Sequence, residues 1–253
     1  ADTPEQIARM LLERGYDDSR LTVLEHMGGE RERIVTGTAA SWQEAGIAPF
    51  NTVAVDCIAG ADALIQPTIP GLPDDAFLSD GNLTKREIRA ATLAVLAPIP
   101  GQHLWDIGAG CGSISIEWMR SHPDCRATAV ENREDRIGLI ARNAIALGVP
   151  RLGIIEGEAM DVLDGLDAPD AIFVGGGAST PGLVGRCVEA LPGRGRLVAN
   201  AVTLEGETAL AEFRTKHGGD LMRFSISRAE PVGAFTGWKS SMTVTQYSLV
   251  KSR

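Results

Sequence analysis

Between His103 and Glu117 the chain reads HLWDIGAGCGSISIE, with glycines at positions 108, 110 and 112. Leu104, Trp105 and Ile107 form an apolar run suited to a buried parallel strand, and residues 113–119 carry apolar side chains at helical spacing. A strand, a glycine turn and a helix aim backbone N–H groups and a helix N-terminus at a ligand. Glycine suits the turn because the backbone angles exclude a Cβ and because the ligand lies against the backbone. Glu131 stands 19 residues past Gly112, at the end of the next strand-like run. An acid there can accept hydrogen bonds from both hydroxyls of a ribose. Its other reading is a solvated acid at a helix start, since Asn132 and Asp135 follow.

The spacing of the glycines selects the cofactor. A dinucleotide fingerprint, G-x-G-x-x-G, would place its third glycine at position 113, which is Ser113. The chain instead gives G-x-G-x-G with Asp106 two residues ahead, and this resembles motif I of the S-adenosylmethionine methyltransferases. The resemblance implies that Gly108, Ala109, Gly110, Cys111 and Gly112 cradle the amino-acid end of that cofactor; a tight turn without a ligand is the alternative. In such enzymes the stretch matching Gly157-Glu158-Ala159-Met160 surrounds the adenine, with Ala159 offering its backbone N–H, though an ordinary turn accounts for it equally. Gly175, Gly176 and Gly177 lie where a substrate would meet the methyl group, and flexibility alone also explains them.

The elements that position these residues alternate. Strands are expected at 103–107, 126–130, 152–155, 171–174 and 195–201, with helices at 84–96, 113–119, 135–147, 181–191 and 205–217. Thr84-Lys-Arg-Glu87 reads as a capping box for the first of these helices. Residues 222–227 and 242–249 read as a closing strand pair. Strands alternating with helices make a parallel sheet covered on both faces. Ahead of them a helix capped by Asp2 or Thr3, strands at 21–24 and 51–58, and a strand within 28–39 make a thin core.

Composition bounds the classes. No apolar run approaches the roughly 20 residues needed to span a bilayer, and no signal peptide is expected at the N-terminus. Cys57, Cys111, Cys125 and Cys187 are scattered without metal-ligand spacing, so no metal site is expected and a cytoplasmic home is the simplest. Net charge is −9, with 13 acids and 5 bases in residues 1–76 and 20 acids and 19 bases in residues 77–253. That asymmetry suggests two regions, and the acidity argues against a nucleic-acid partner. The prolines and glycine within 61–76 suggest a linker, with an ordered loop as the alternative.

Together LSDGNLTKREIRAATLAVL, LWDIGAGCGSISIE, AVENRED, EGEAMDVL and IFVGGGAS resemble the decarboxylating precorrin methyltransferase domain of cobalamin biosynthesis. SRLTVLEHMGGERERIVTGTA and NTVAVDC resemble the last third of the tetrapyrrole methylase domain that precedes it in the bifunctional precorrin-6Y C(5,15)-methyltransferases. The resemblance implies an α/β class I methyltransferase fold, a Rossmann-like seven-stranded sheet, over residues 77–253. A linker at 61–76 and a tetrapyrrole methylase fragment at 1–60 would precede it. It implies S-adenosylmethionine as cofactor, held by Thr84, residues 108–112, Glu131 and Ala159, with capping as the other account of Thr84. It also implies a precorrin substrate, no membrane, and a homo-oligomer, in this family a tetramer. Methylation would fall on carbon 15, with loss of carbon dioxide from the ring C acetate. Methylation of carbon 5 is not expected of so short a first region.

An activated methyl and an electron-rich macrocycle carbon need mainly to be held together, and His26, His103, His122 and His217 form no cluster, so no general base is assigned. Arg228 and Lys239 could pair with substrate carboxylates or serve as solvated charges. The rivals are a methyltransferase of this fold acting on another small molecule or on RNA, and a non-catalytic module that only binds the cofactor.

Overall fold

A strand that is apolar on both faces must be covered on both, and the runs around Leu104, Val130, Ile172 and Val198 are of this kind. The computed structural model describes residues 3–252, in two units that divide between Gln66 and Pro67. In the first, helix α1 (Thr3–Leu12) accompanies strands β1 (Arg20–Glu25), β2 (Arg33–Thr38) and β3 (Asn51–Asp56), paired antiparallel in the order β2-β1-β3. Its core is small, with Ala8, Leu21 and Ala39 in one cluster and Val23, Val35 and Ile47 in another. Thr3 is the first residue of α1 rather than its cap, and Asp2 lies outside the described residues.

The second unit holds α2 (Arg86–Leu96), β4 (His103–Ile107), α3 (Ser113–Ser121), β5 (Arg126–Glu131), α4 (Glu134–Ala146) and β6 (Gly153–Glu156). Then come the single turn α5 (Ala159–Val162), β7 (Ala171–Val174), α6 (Leu183–Ala190), β8 (Arg196–Ala201), α7 (Leu204–His217), β9 (Asp220–Phe224), β10 (Ser227–Val232), β11 (Phe235–Ser240) and β12 (Val244–Val250). Seven strands form one sheet in the order β6-β5-β4-β7-β8-β12-β9, with β12 antiparallel to both its neighbours. This is the class I methyltransferase arrangement. Period-two alternation sorts its side chains. Leu104, Ala129, Phe173 and Val198 meet Leu93, Ile114, Trp118 and Ile140, while Trp105, Val130, Ile172 and Leu197 meet Leu183, Cys187, Leu210 and Tyr247.

Three local expectations differ from what is found. The stretch 61–76 straddles the division, and its second half is built into the second unit. Leu72 is 1% exposed, and the N–H groups of Gly71 and Leu72 donate to Glu117 at 2.6 and 3.0 Å. Arg89, wholly buried, donates to Glu117 at 2.6 Å, to the Thr84 carbonyl at 2.5 Å and to the Leu72 carbonyl, and stacks 4.7 Å over Phe77. A buried ion pair needs its remaining hydrogen bonds met, and this proline-rich backbone meets them.

The capping box is absent. Helix α2 starts at Arg86 with no side-chain cap from Lys85, and its first N–H goes to Asp74 at 2.9 Å, a partner twelve residues upstream. The closing strand pair is β9 with β12, shifted from the expected ranges, and the hairpin β10–β11 is inserted between them. Pro231 weakens the strand pattern there, but Gly233, at φ +60°, opens a two-residue turn that closes the hairpin.

Candidate active site

Parallel strands leave a crevice where their carboxyl ends meet the loops. Here it is a cavity of about 590 Å³, lined by the loops after β4, β5, β6 and β7, by the segment ahead of α2 and by parts of β8, β9 and β12. Thr84, Gly108, Ala109, Gly110, Cys111, Glu131 and Ala159 all line it; Gly112 does not.

The three glycines, at φ +68°, +62° and +80°, serve different needs. A Cβ on Gly108 would stand 2.7 Å from the Gly176 nitrogen, because the turns after β4 and β7 touch backbone to backbone. A Cβ on Gly110 would meet nothing nearer than the Asn82 carbonyl oxygen at 3.7 Å and would fill open cavity instead. A Cβ on Gly112 would press on Ile140 at 3.0 Å, so this glycine answers to the packing of α3 on α4. The turn's N–H groups are mostly engaged within the protein. Gly108 and Ala109 donate to the Val130 carbonyl at 2.9 and 3.1 Å, and Gly112 to the Ala109 carbonyl at 2.9 Å. What the turn offers a ligand is room beside Gly110 more than a nest of donors.

Glu131 is 3% exposed, so it is not a solvated acid. Its Oε2 accepts from the Gly110 N–H at 2.8 Å, and Oε1 from the Asn132 and Arg133 N–H groups at 3.1 and 3.2 Å. With about four acceptor sites on a carboxylate, it braces the glycine turn and keeps capacity toward the cavity. Asp106, buried in β4, accepts from Ser115 N and Oγ at 3.0 and 2.7 Å through one oxygen. Its other oxygen has no partner among the described residues. Burial, with the Glu131 charge adding to it, raises its acid to about 6. The Cys111 side chain is buried in the core and burial raises its thiol, so it fills space. Ala159 begins α5, where Glu158 accepts from Asn132 Nδ2 at 2.8 Å.

Above the cavity, the segment ahead of α2 is fastened by two residues absent from the sequence reading. Asp80 accepts from Arg136 Nε and Nη2, both at 2.9 Å, and the Asn82 N–H followed by Arg136 holds its acid down to about 2. Asn143, buried in α4, accepts from the Leu78 N–H at 2.9 Å and donates to the Leu78 and Cys111 carbonyls at 2.9 and 3.0 Å. An asparagine on the apolar face of an amphipathic helix was the available signal. Arg228 pairs with Glu87 at 2.6 Å and Lys239 with Glu230 at 2.9 Å; of these four only Glu87 lines the cavity.

Residues 75–251 match the model of the precorrin methyltransferase domain family. A precorrin-6Y C(5,15)-methyltransferase (decarboxylating) of a Sinorhizobium species is 47% identical over 248 residues, covering 98% of this chain and 60% of that protein. A cobalt-precorrin-6B C(15)-methyltransferase (decarboxylating) of Salmonella typhimurium is 32% identical over 171 residues, 64% of this chain and 87% of that protein. The crystal structure of the C-terminal domain of precorrin-6Y C5,15-methyltransferase from Rhodobacter capsulatus matches with a TM-score of 0.69 at 43% identity, over 74% of this chain and 100% of that one. The chain thus spans 60% of the length of its Sinorhizobium relative. With a match over most of the second unit, including both glycine turns and Glu131, the chain belongs to the precorrin methyltransferase domain family.

Proposed function

We propose that this chain transfers a methyl group from S-adenosylmethionine to carbon 15 of precorrin-6Y and removes carbon dioxide from its ring C acetate. The observation that carries this is the cavity itself, which runs from Glu131 and Ala159 past two touching glycine turns to a largely apolar half at Phe173 and Asn200. The names of the Sinorhizobium and Salmonella relatives supply the substrate class. The open space beside Gly110 and the spare acceptor capacity of Glu131 fit the amino-acid end and ribose of such a cofactor.

Bound there, S-adenosylmethionine supplies a methyl group already activated by its sulfonium. The chain's residues bind and orient. Glu131 accepts the ribose hydroxyls, Ala159 flanks the adenine, residues 108–111 leave room for the amino-acid end, and Thr84, no longer accounted for as a cap, closes the site from above. Holding the macrocycle in line supplies most of the acceleration. We read residues 77–253 as the catalytic domain, residues 61–76 as a connection whose second half is fastened into that domain, and residues 1–60 as the tail of a tetrapyrrole methylase domain. The 98% coverage of this chain by the Sinorhizobium match supports that assignment. Exposed Phe235 and Trp238 on the hairpin support a homo-oligomer.

Incubation with precorrin-6Y and methyl-labelled S-adenosylmethionine should give a product with one added methyl and one lost carbon dioxide, read by mass. Two added methyls would assign a second activity to the first unit. Cofactor binding without release of carbon dioxide would mark a non-catalytic module, and tight NAD binding in its place would end this reading.

A further inference from the structure

The sheet order divides the cavity. The glycine turn, Glu131 and Ala159 follow β4, β5 and β6, so these cofactor residues lie on one side of the sheet. Over β7, β8 and β12 the lining is Phe173, Thr180, Asn200, Val202 and Val244, neutral and mostly apolar. Asn200 is the amide on this floor, and nothing in the cofactor assignment uses it.

Its side chain is held from behind. Asn200 Nδ2 donates to Thr92 Oγ1 at 3.0 Å, and Oδ1 accepts from Gln246 Nε2 at 3.0 Å. Gln246 Nε2 also donates to Thr92 Oγ1 at 3.0 Å and sits directly opposite Asn200 in the β8–β12 register. Thr92 and Gln246 are buried between α2 and the sheet, where Val198, on the same face, packs into the core. Apolar side chains would pack there without the desolvation that three polar groups bring. Among the described residues the network leaves one Asn200 N–H and one lone pair of Oδ1 free, on the residue that reaches the cavity.

Loss of carbon dioxide from an acetate suits such a floor. The bond between the methylene carbon and the carboxyl carbon breaks. Its electron pair stays on the methylene carbon, spreads into the conjugated macrocycle and is taken up by a proton from water, while the carboxyl carbon leaves as carbon dioxide. The negative charge therefore begins on the carboxylate and ends on the macrocycle. A cation on the acetate would stabilise the starting state and hold the charge back, whereas a neutral amide fixes its direction beside a mostly apolar lining. The arginines nearest the floor are paired, Arg136 with Asp80 and Arg228 with Glu87, while Lys85 lines the cavity from the segment ahead of α2 and not from this floor. We infer that Asn200 donates its free N–H to the acetate that is lost, held in position by Thr92 and Gln246. The assignment rests on the function proposed above.

The test compares Asn200→Ala, Asn200→Ser and Thr92→Val in the full chain with precorrin-6Y. Cofactor affinity is measured by calorimetry, and methyl transfer and carbon dioxide release in single turnovers. Asn200→Ala should keep cofactor affinity within about twofold and slow carbon dioxide release about tenfold, the equivalent of one hydrogen bond. Methyl transfer should fall less. Asn200→Ser, which keeps a donor, should recover part of the loss, and it decides the matter should the alanine variant fail to fold. Thr92→Val should give an intermediate defect confined to the same step. Carbon dioxide release at the wild-type rate in Asn200→Ala overturns the assignment. So does a parallel fall of cofactor affinity, methyl transfer and carbon dioxide release in every variant, which would make Asn200 only a packing residue. A wild-type chain that binds the cofactor and releases no carbon dioxide overturns the function itself.

Discussion

Glu131 braces the Gly110 N–H with its carboxylate, and on the function proposed above the same carboxylate accepts a ribose. Glu131→Ala should weaken S-adenosylmethionine binding at least about tenfold, or about 1.4 kcal/mol. Glu131→Gln should lose less because one acceptor oxygen remains. Glu134→Ala, at the start of α4, is the control for charge, and equal losses in the two alanine variants would remove the ribose assignment. Asp106 makes a different prediction. Burial raises its acid from 3.8 to about 6, so the folded chain holds this proton more tightly than the unfolded one. Its contribution to stability is therefore complete below the unfolded value and is lost as pH rises through about 6. Asp106→Asn should gain on the wild type by about 2–3 kcal/mol between pH 4 and 7. Urea titrations of cofactor-free protein at both pH values would show it, and an unchanged difference would refute it. Glycine spacing and the distance to Glu131 let the sequence place these residues around one cavity, because both are set within one strand-turn-helix and its neighbour. The partners of Asn143 and Asn200 were not legible, since they lie 65 and 108 residues away.

Among the elements, α2 is the one whose setting the sequence misjudged. A capping box can be read from four consecutive residues, but the Asp74 side chain that takes the Arg86 N–H arrives from a segment that looked like a linker. The Arg89–Glu117 pair joins that segment to α2 and α3. Arg89→Leu leaves Glu117 buried without its cation, which should lower unfolding stability by about 3–5 kcal/mol. Denaturant unfolding would measure it, and a loss below about 1 kcal/mol, the range of an exposed pair, would mean that the pair is not the fastening. Strands and helices with strong periodicity were legible throughout the sheet. The hairpin β10–β11 was not, because its two strands pair only with each other and are mostly exposed, which leaves no apolar alternation to read.

The whole molecule resolves into two units that divide between Gln66 and Pro67, inside the stretch 61–76 that its prolines and glycine mark. If the second unit carries the cofactor site alone, a chain beginning at Pro67 should fold and bind S-adenosylmethionine within about twofold of the full chain. Calorimetry decides this, and a loss of about tenfold or more would tie the first unit to the site. Within the second unit, the half of the cavity over β4, β5 and β6 and the half over β7, β8 and β12 meet where Gly108 touches Gly176. That seam is lopsided. A Cβ on Gly176 would find its nearest neighbour at 3.5 Å, an ordinary contact, while one on Gly108 would collide at 2.7 Å. Random mutagenesis should therefore return alanine at position 176 and not at 108. Descent is constrained in the same one-sided way: position 176 is free to drift, while position 108 beneath it is held.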